Sequence, residues 1–181
     1  MAKMKPWSDN LKWKEGDAAL RLYAAAVTWI TSNEPRCSRL TLLPRPMDTT
    51  KLKNLVEQLC AQPAPQLVPI ATFFDGNDDL GSIGCNLMDH PGIDAFREAF
   101  ARIARRRDVE AIYARISEVD PDDDCWPFTD TVFVVGTIHA DELAAELSAL
   151  EPDEVGSAKD FGIPDALARK YIAPILVAWW D

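Results

Sequence analysis

The chain has 181 residues, 48% of them apolar and 27% charged. That is a globular composition for one domain, or one domain with an extension, and it excludes disordered, collagen-like and coiled-coil classes. Nineteen Lys and Arg against 29 Asp and Glu leave a net charge of −10, which argues against broad nucleic-acid binding because that requires an excess of basic side chains.

Residues 1–16 read as an irregular basic arm with Lys3, Lys5, Lys12 and Lys14, among which sit Trp7 and Trp13. No apolar run of roughly 7–15 residues follows, so no secretory signal is expected. The longest apolar stretch, 22–30, is far shorter than the roughly 20 residues of a membrane span. A cytoplasmic protein without membrane contact is the expectation. Cysteines at 37, 60, 85 and 125 form no C-x-x-C pair, which favours free thiols over a disulfide framework.

Asp17 is placed to cap a helix over 17–32, with Leu20, Tyr23, Val27 and Ile30 as its buried stripe. A connector with Pro and Arg precedes a second helix that starts near Asp48 and buries Leu52, Leu55, Val56 and Leu59. Pro63 and Pro65 break it. The apolar run 67–74 reads as a buried strand, 75–79 as a turn, and 81–87 as a second short strand or an ordered loop. After Pro91-Gly92 a helix places Ile93, Phe96, Phe100 and Ile103 on one face. Residues 109–119 read as a strand. Residues 121–127 form an acidic loop, and 131–138, β-branched and nearly continuous, a central strand buried on both faces. A helix over 140–150 aligns Leu143, Leu147 and Leu150. The connection 151–174 has room for a short helix after Pro164, and 175–180 closes as a strand in which one of Trp179 and Trp180 is buried and the other more accessible. The expected fold class is α+β: a ferredoxin-like β-α-β-β-α-β sandwich over 67–181, carrying an N-terminal two-helix extension over 1–66.

Six motifs stand out as a set: Phe73-Phe74-Asp-Gly-Asn, Gly81-Ser-Ile-Gly-Cys-Asn-Leu, His90-Pro-Gly, Trp126-Pro-Phe-Thr-Asp, Pro152-Asp-Glu-Val and Trp179-Trp180-Asp181. Together they resemble an uncharacterised family of small bacterial proteins, over about 67–181. The resemblance implies a compact bacterial α+β domain and assigns no catalytic residue.

Charge segregation is the strongest physical feature. Between Glu118 and Asp165 lie 14 acidic residues and one basic residue, Lys159, a balance of −13; the remainder, with 18 basic and 15 acidic residues, carries +3. A field of one sign speeds encounter with an oppositely charged partner. The blander reading is a solubilising face, with Asp141 and Glu142 serving a helix start. The functional expectation is a non-enzymatic acidic binding protein for a basic protein partner, concretely an immunity protein neutralising a bacterial toxin. Its surface would comprise Asp122, Asp123, Asp124, Trp126, Asp141, Glu142 and Glu146.

The alternative is a small cytosolic enzyme or ligand-binding domain built on Asp75, Asn77, Asp79, Cys85 and His90. Asp75, Asn77 and Asp79 offer oxygens at alternate positions, but a calcium loop then needs Gly and Glu where Leu80 and Asn86 stand. Cys85 with a histidine is a conceivable nucleophile and base, set against a small buried thiol at a strand end. Cys85, His90, Cys125 and His139 lack zinc-knuckle spacing. No metal, no other cofactor and no nucleic-acid partner is expected, and the sequence leaves oligomeric state open.

Overall fold

The computed structural model describes residues 47–119 and 125–181. The expected basic arm and 17–32 helix lie outside the described residues, as do Asp122, Asp123 and Asp124.

Helix α1 (Thr49–Cys60) starts where its sequence offers a cap: Asp48 Oδ1 accepts from the Thr50 and Lys51 amides at 3.1 and 3.2 Å. Leu52, Leu55 and Leu59 recur at helical spacing and are buried in the same cluster as the sheet, so this helix is part of the core. Strand β1 (Leu67–Pro69) is short, and the chain turns at once into helix α2 (Ile70–Phe74). The run 67–74 is therefore not one strand. Its continuous apolar character suits a buried helix turn as well as a strand, and periodicity alone does not separate them. Residues 80–82 form a 3-10 turn and no strand follows. Helix α3 (Ile93–Ile103) buries Ile93, Phe96, Ala99, Phe100 and Ile103. Strands β2 (Val109–Glu118) and β3 (Phe128–Gly136) follow, then helix α4 (Ala140–Leu147) with a 3-10 turn over Ser148–Leu150. The 151–174 connection holds strand β4 (Glu154–Ser157) as well as the expected short helix, α5 (Asp165–Lys170). Strand β5 (Ile175–Trp179) completes the sheet.

The sheet order is β1-β2-β3-β5-β4, and each neighbouring pair is antiparallel. The α+β class holds, but the ferredoxin-like arrangement does not describe this sheet. A split β-α-β unit needs a crossover that lays strands parallel, whereas here α2 and α3 return the chain antiparallel to β1, and β4 adds an unexpected edge.

Strand alternation divides the interior between two faces. Val132 and Val134 of β3 point into the larger core with α1 to α4, Trp126 and Trp180; Phe133 and Val135 point into a smaller one with Leu167 of α5, Val177 and Ala158. The expectation of a central strand buried on both faces holds at β3. Trp180 is buried, its Nε1 donating to the Leu150 carbonyl at 2.8 Å, while Trp179 is half-buried against Phe161.

Candidate functional site

The acidic half of the expected surface divides into neutralised and free carboxylates. On α4, Glu142 and Glu146 face the arginines at the end of α3. Arg106 Nη2 donates to Glu142 Oε2 at 2.5 Å and to Asp108 Oδ2 at 2.8 Å, and Arg102 Nε donates to Glu146 Oε2 at 2.9 Å. Arg106 Nη1 also reaches Glu146 at 3.4 Å. The Arg106 hydrogen bond holds Asp108 below its ordinary pKa, and the Arg102 hydrogen bond does the same for Glu146. Arg106 is raised in turn, first by Asp108 and then by Glu142. These two α4 acids fasten one helix to another and are poor candidates for a free docking surface. Asp141 remains exposed in the first turn of α4.

Trp126 is also corrected as a surface anchor. It is 1% exposed, within the main core, and its amide donates to Asp79 Oδ2 at 2.9 Å. Its indole N–H has no hydrogen-bond partner among the described residues. An aromatic beside an acidic loop looks like a hot spot in sequence, but the apolar ring follows the core.

The second expected site, Asp75 to His90, is a locked loop. Asn77 is 1% exposed; its Nδ2 donates to Ser82 Oγ at 2.9 Å and its Oδ1 accepts from the Asp79 amide at 3.0 Å. Asp79 caps the 3-10 turn through the Gly81 amide at 2.8 Å. Arg97 ties the loop to α3 by donating to the Phe74 and Asn77 carbonyls and to Asp94. His90 Nδ1 accepts from the Gly92 amide at 2.9 Å, so its Nε2 carries the proton and donates to the Ile83 carbonyl, also at 2.9 Å. With both ring nitrogens bound to backbone, His90 has none left to deprotonate Cys85. Cys85 is exposed in a loop, contrary to the buried-thiol expectation, and its Sγ donates to Asn86 Oδ1 at 3.6 Å. Asp75 pairs with Lys51 at 2.6 Å and raises its pKa by that hydrogen bond. Among the described residues no three His, Cys, Asp or Glu side chains gather as a metal site.

The free carboxylates sit elsewhere. Glu151, Asp153, Glu154 and Asp160 are exposed around β4, with Asp181 beside them, its amide donating to Asp153 Oδ2 at 2.8 Å. The ion pairs among the described residues include none of these five. Among the described residues strand β4 ends the sheet order. Ala158 N donates to Ile175 O at 3.0 Å, and Gly156 and Glu154 follow in the alternation toward β5. The N–H and C=O groups of Val155 and the N–H of Ser157 therefore face away from β5, while the Ser157 carbonyl accepts from the Asp160 amide at 3.4 Å. Charge counting over 118–165 contains four of these acids, all but Asp181, but Glu154–Ser157 is too short and too polar to be read as a strand, so sequence reasoning did not single them out.

Comparison with known proteins gives a family and no activity. The family model described as "Uncharacterized protein YfbO family" matches residues 50–174. "Uncharacterized protein YfbO" of Escherichia coli (strain K12) is 30% identical over 107 residues, covering 58% of this chain and 75% of that protein. No solved structure matches the chain. No helix among the described residues is long and apolar enough to cross a membrane. A model match spanning 50–174, together with that relative, places the chain in the YfbO family.

Proposed function

We propose that the chain is a protein-binding module that presents the β4 edge to a basic, extended segment of a partner protein. The observation that carries this reading is the coincidence, among the described residues, of an end strand with five exposed carboxylates outside the ion-pair network. Each supplies what the other lacks. A strand edge offers backbone donors and acceptors to an added strand without selecting its side chains. Carboxylates select Lys and Arg and speed encounter, but fix no register. Glu154 lies opposite half-buried Trp179 in the β4–β5 register, so an apolar surface adjoins the charges. Neutralisation of a basic bacterial toxin is the concrete form of this reading; the net charge and the bacterial relative support it, and co-purification with the product of the neighbouring gene is its check.

The direct test uses a synthetic peptide of alternating Lys and Val and a control of alternating Glu and Val, followed by fluorescence anisotropy at several salt concentrations. The Lys peptide should bind, more weakly as salt rises, and the triple variant Glu151→Lys, Asp153→Lys, Glu154→Lys should weaken it about tenfold or more, as expected for loss of several charge pairs. Equal affinity for the two peptides, or an unaltered affinity in the variant, removes the β4 edge as the site.

A further inference from the structure

We infer a second binding site, at the opposite end of the sheet, for a small apolar monocarboxylate. Between the segment before β1, the second face of β2 and the start of α5 lies a cleft of about 560 Å³, within the range of roughly 300–1,000 Å³ usual for small-molecule sites. Its walls are largely apolar and stiff: Pro63, Pro65, Ile163 and Pro164 line it, and proline's fixed φ leaves little backbone freedom to lose on binding.

Arg115 lines the same cleft, a cation in a protein of net charge −10. Its side chain is 29% exposed and held from one side, Nη2 donating to Thr131 Oγ1 at 2.8 Å and to Asp130 Oδ1 at 3.3 Å. That tether fixes the guanidinium. Its Nε and Nη1 donors meet no acceptor among the described residues. At the rim, Arg169 pairs with Asp165 at 3.7 Å, both largely exposed; such a pair is weak and opens readily to a competing anion.

The charges choose among anions. Asp130 is paired with Arg115 and Asp165 with Arg169, so the cleft has no excess positive charge to balance a phosphate dianion, whereas a monoanion need displace only the weak Arg169–Asp165 pair. Charge-assisted hydrogen bonds from a guanidinium match a carboxylate, and the proline and isoleucine walls match a hydrocarbon or aryl body.

The test is an NMR titration of the full chain with benzoate, benzamide and inorganic phosphate. Benzoate should give saturable amide shifts at Arg115, Gly162 and Ile163 and over 165–169. Benzamide, of the same shape without the charge, and phosphate, charged without the apolar body, should each shift those amides at least about tenfold less effectively at equal concentration. Arg115→Lys, which keeps the charge but loses the planar donors, should weaken benzoate about tenfold. Arg169→Gln, a rim substitution that leaves the fold intact, should weaken it severalfold. Absence of saturable shifts, shifts that map away from the cleft, or equal response to benzamide or phosphate overturns the inference.

Discussion

At the scale of single residues, function-like side chains in this chain are mostly spent on structure. His90 and Asn77 have the chemistry of a site and the hydrogen bonding of a clasp. Their partners explain why sequence did not reveal this: the Ile83 carbonyl is set against His90 by the path of the loop, which no spacing rule predicts. The helix start at Asp48, by contrast, was legible because the amides from which its side chain accepts lie only two and three residues ahead. Gly136 shows a constraint equally hidden in sequence. A Cβ there would lie 2.2 Å from the Asp108 carbonyl oxygen, where β3 approaches the turn before β2. Gly136→Ala should therefore cost about 1–3 kcal/mol in urea unfolding, as overpacking against backbone does. Gly156→Ala, whose Cβ would meet only Glu154 Oε1 at 3.9 Å, should stay within about 0.5 kcal/mol. Equal effects at the two glycines would contradict the close approach.

At the scale of elements, strongly periodic helices were readable and short strands were not. Helix α3 declared itself through Phe96, Phe100 and Ile103. The strand expected over 67–74 became β1 and α2, and β4 was absent from the reading altogether. The ionic link between α3 and α4 belongs to this scale too, because sequence shows charges but not which helices meet. Asp108 and Glu146 hold their protons less tightly in the folded chain than in the unfolded one. Their contribution is thus present above the ordinary carboxylate values near pH 4 and is lost as pH falls through the lowered folded values. Thermal unfolding should show a smaller drop in Tm between about pH 6 and pH 3 in Glu146→Gln than in the parent chain. Parallel profiles would show that the link contributes nothing to acid sensitivity.

At the scale of the whole molecule, the residue count of charge was legible and its distribution was not. Sequence placed a block of −13 between Glu118 and Asp165. Folding then committed Glu142 and Glu146 to arginines and Asp130 to Arg115, leaving the β4 margin with exposed acids. Among the described residues the antiparallel order β1-β2-β3-β5-β4 makes that margin a sheet edge and sets the arginine-lined cleft at the other end. Element order alone does not specify which strands become neighbours, so neither location could be read beforehand. On the proposed function, the outer side of β4 accepts a basic strand. Amide hydrogen exchange tests it most directly, with and without the Lys–Val peptide. Slowed exchange confined to the outward Val155 and Ser157 amides, and abolished by the Glu151, Asp153 and Glu154 reversals, is the predicted result; unchanged exchange at those two amides under peptide saturation would contradict it.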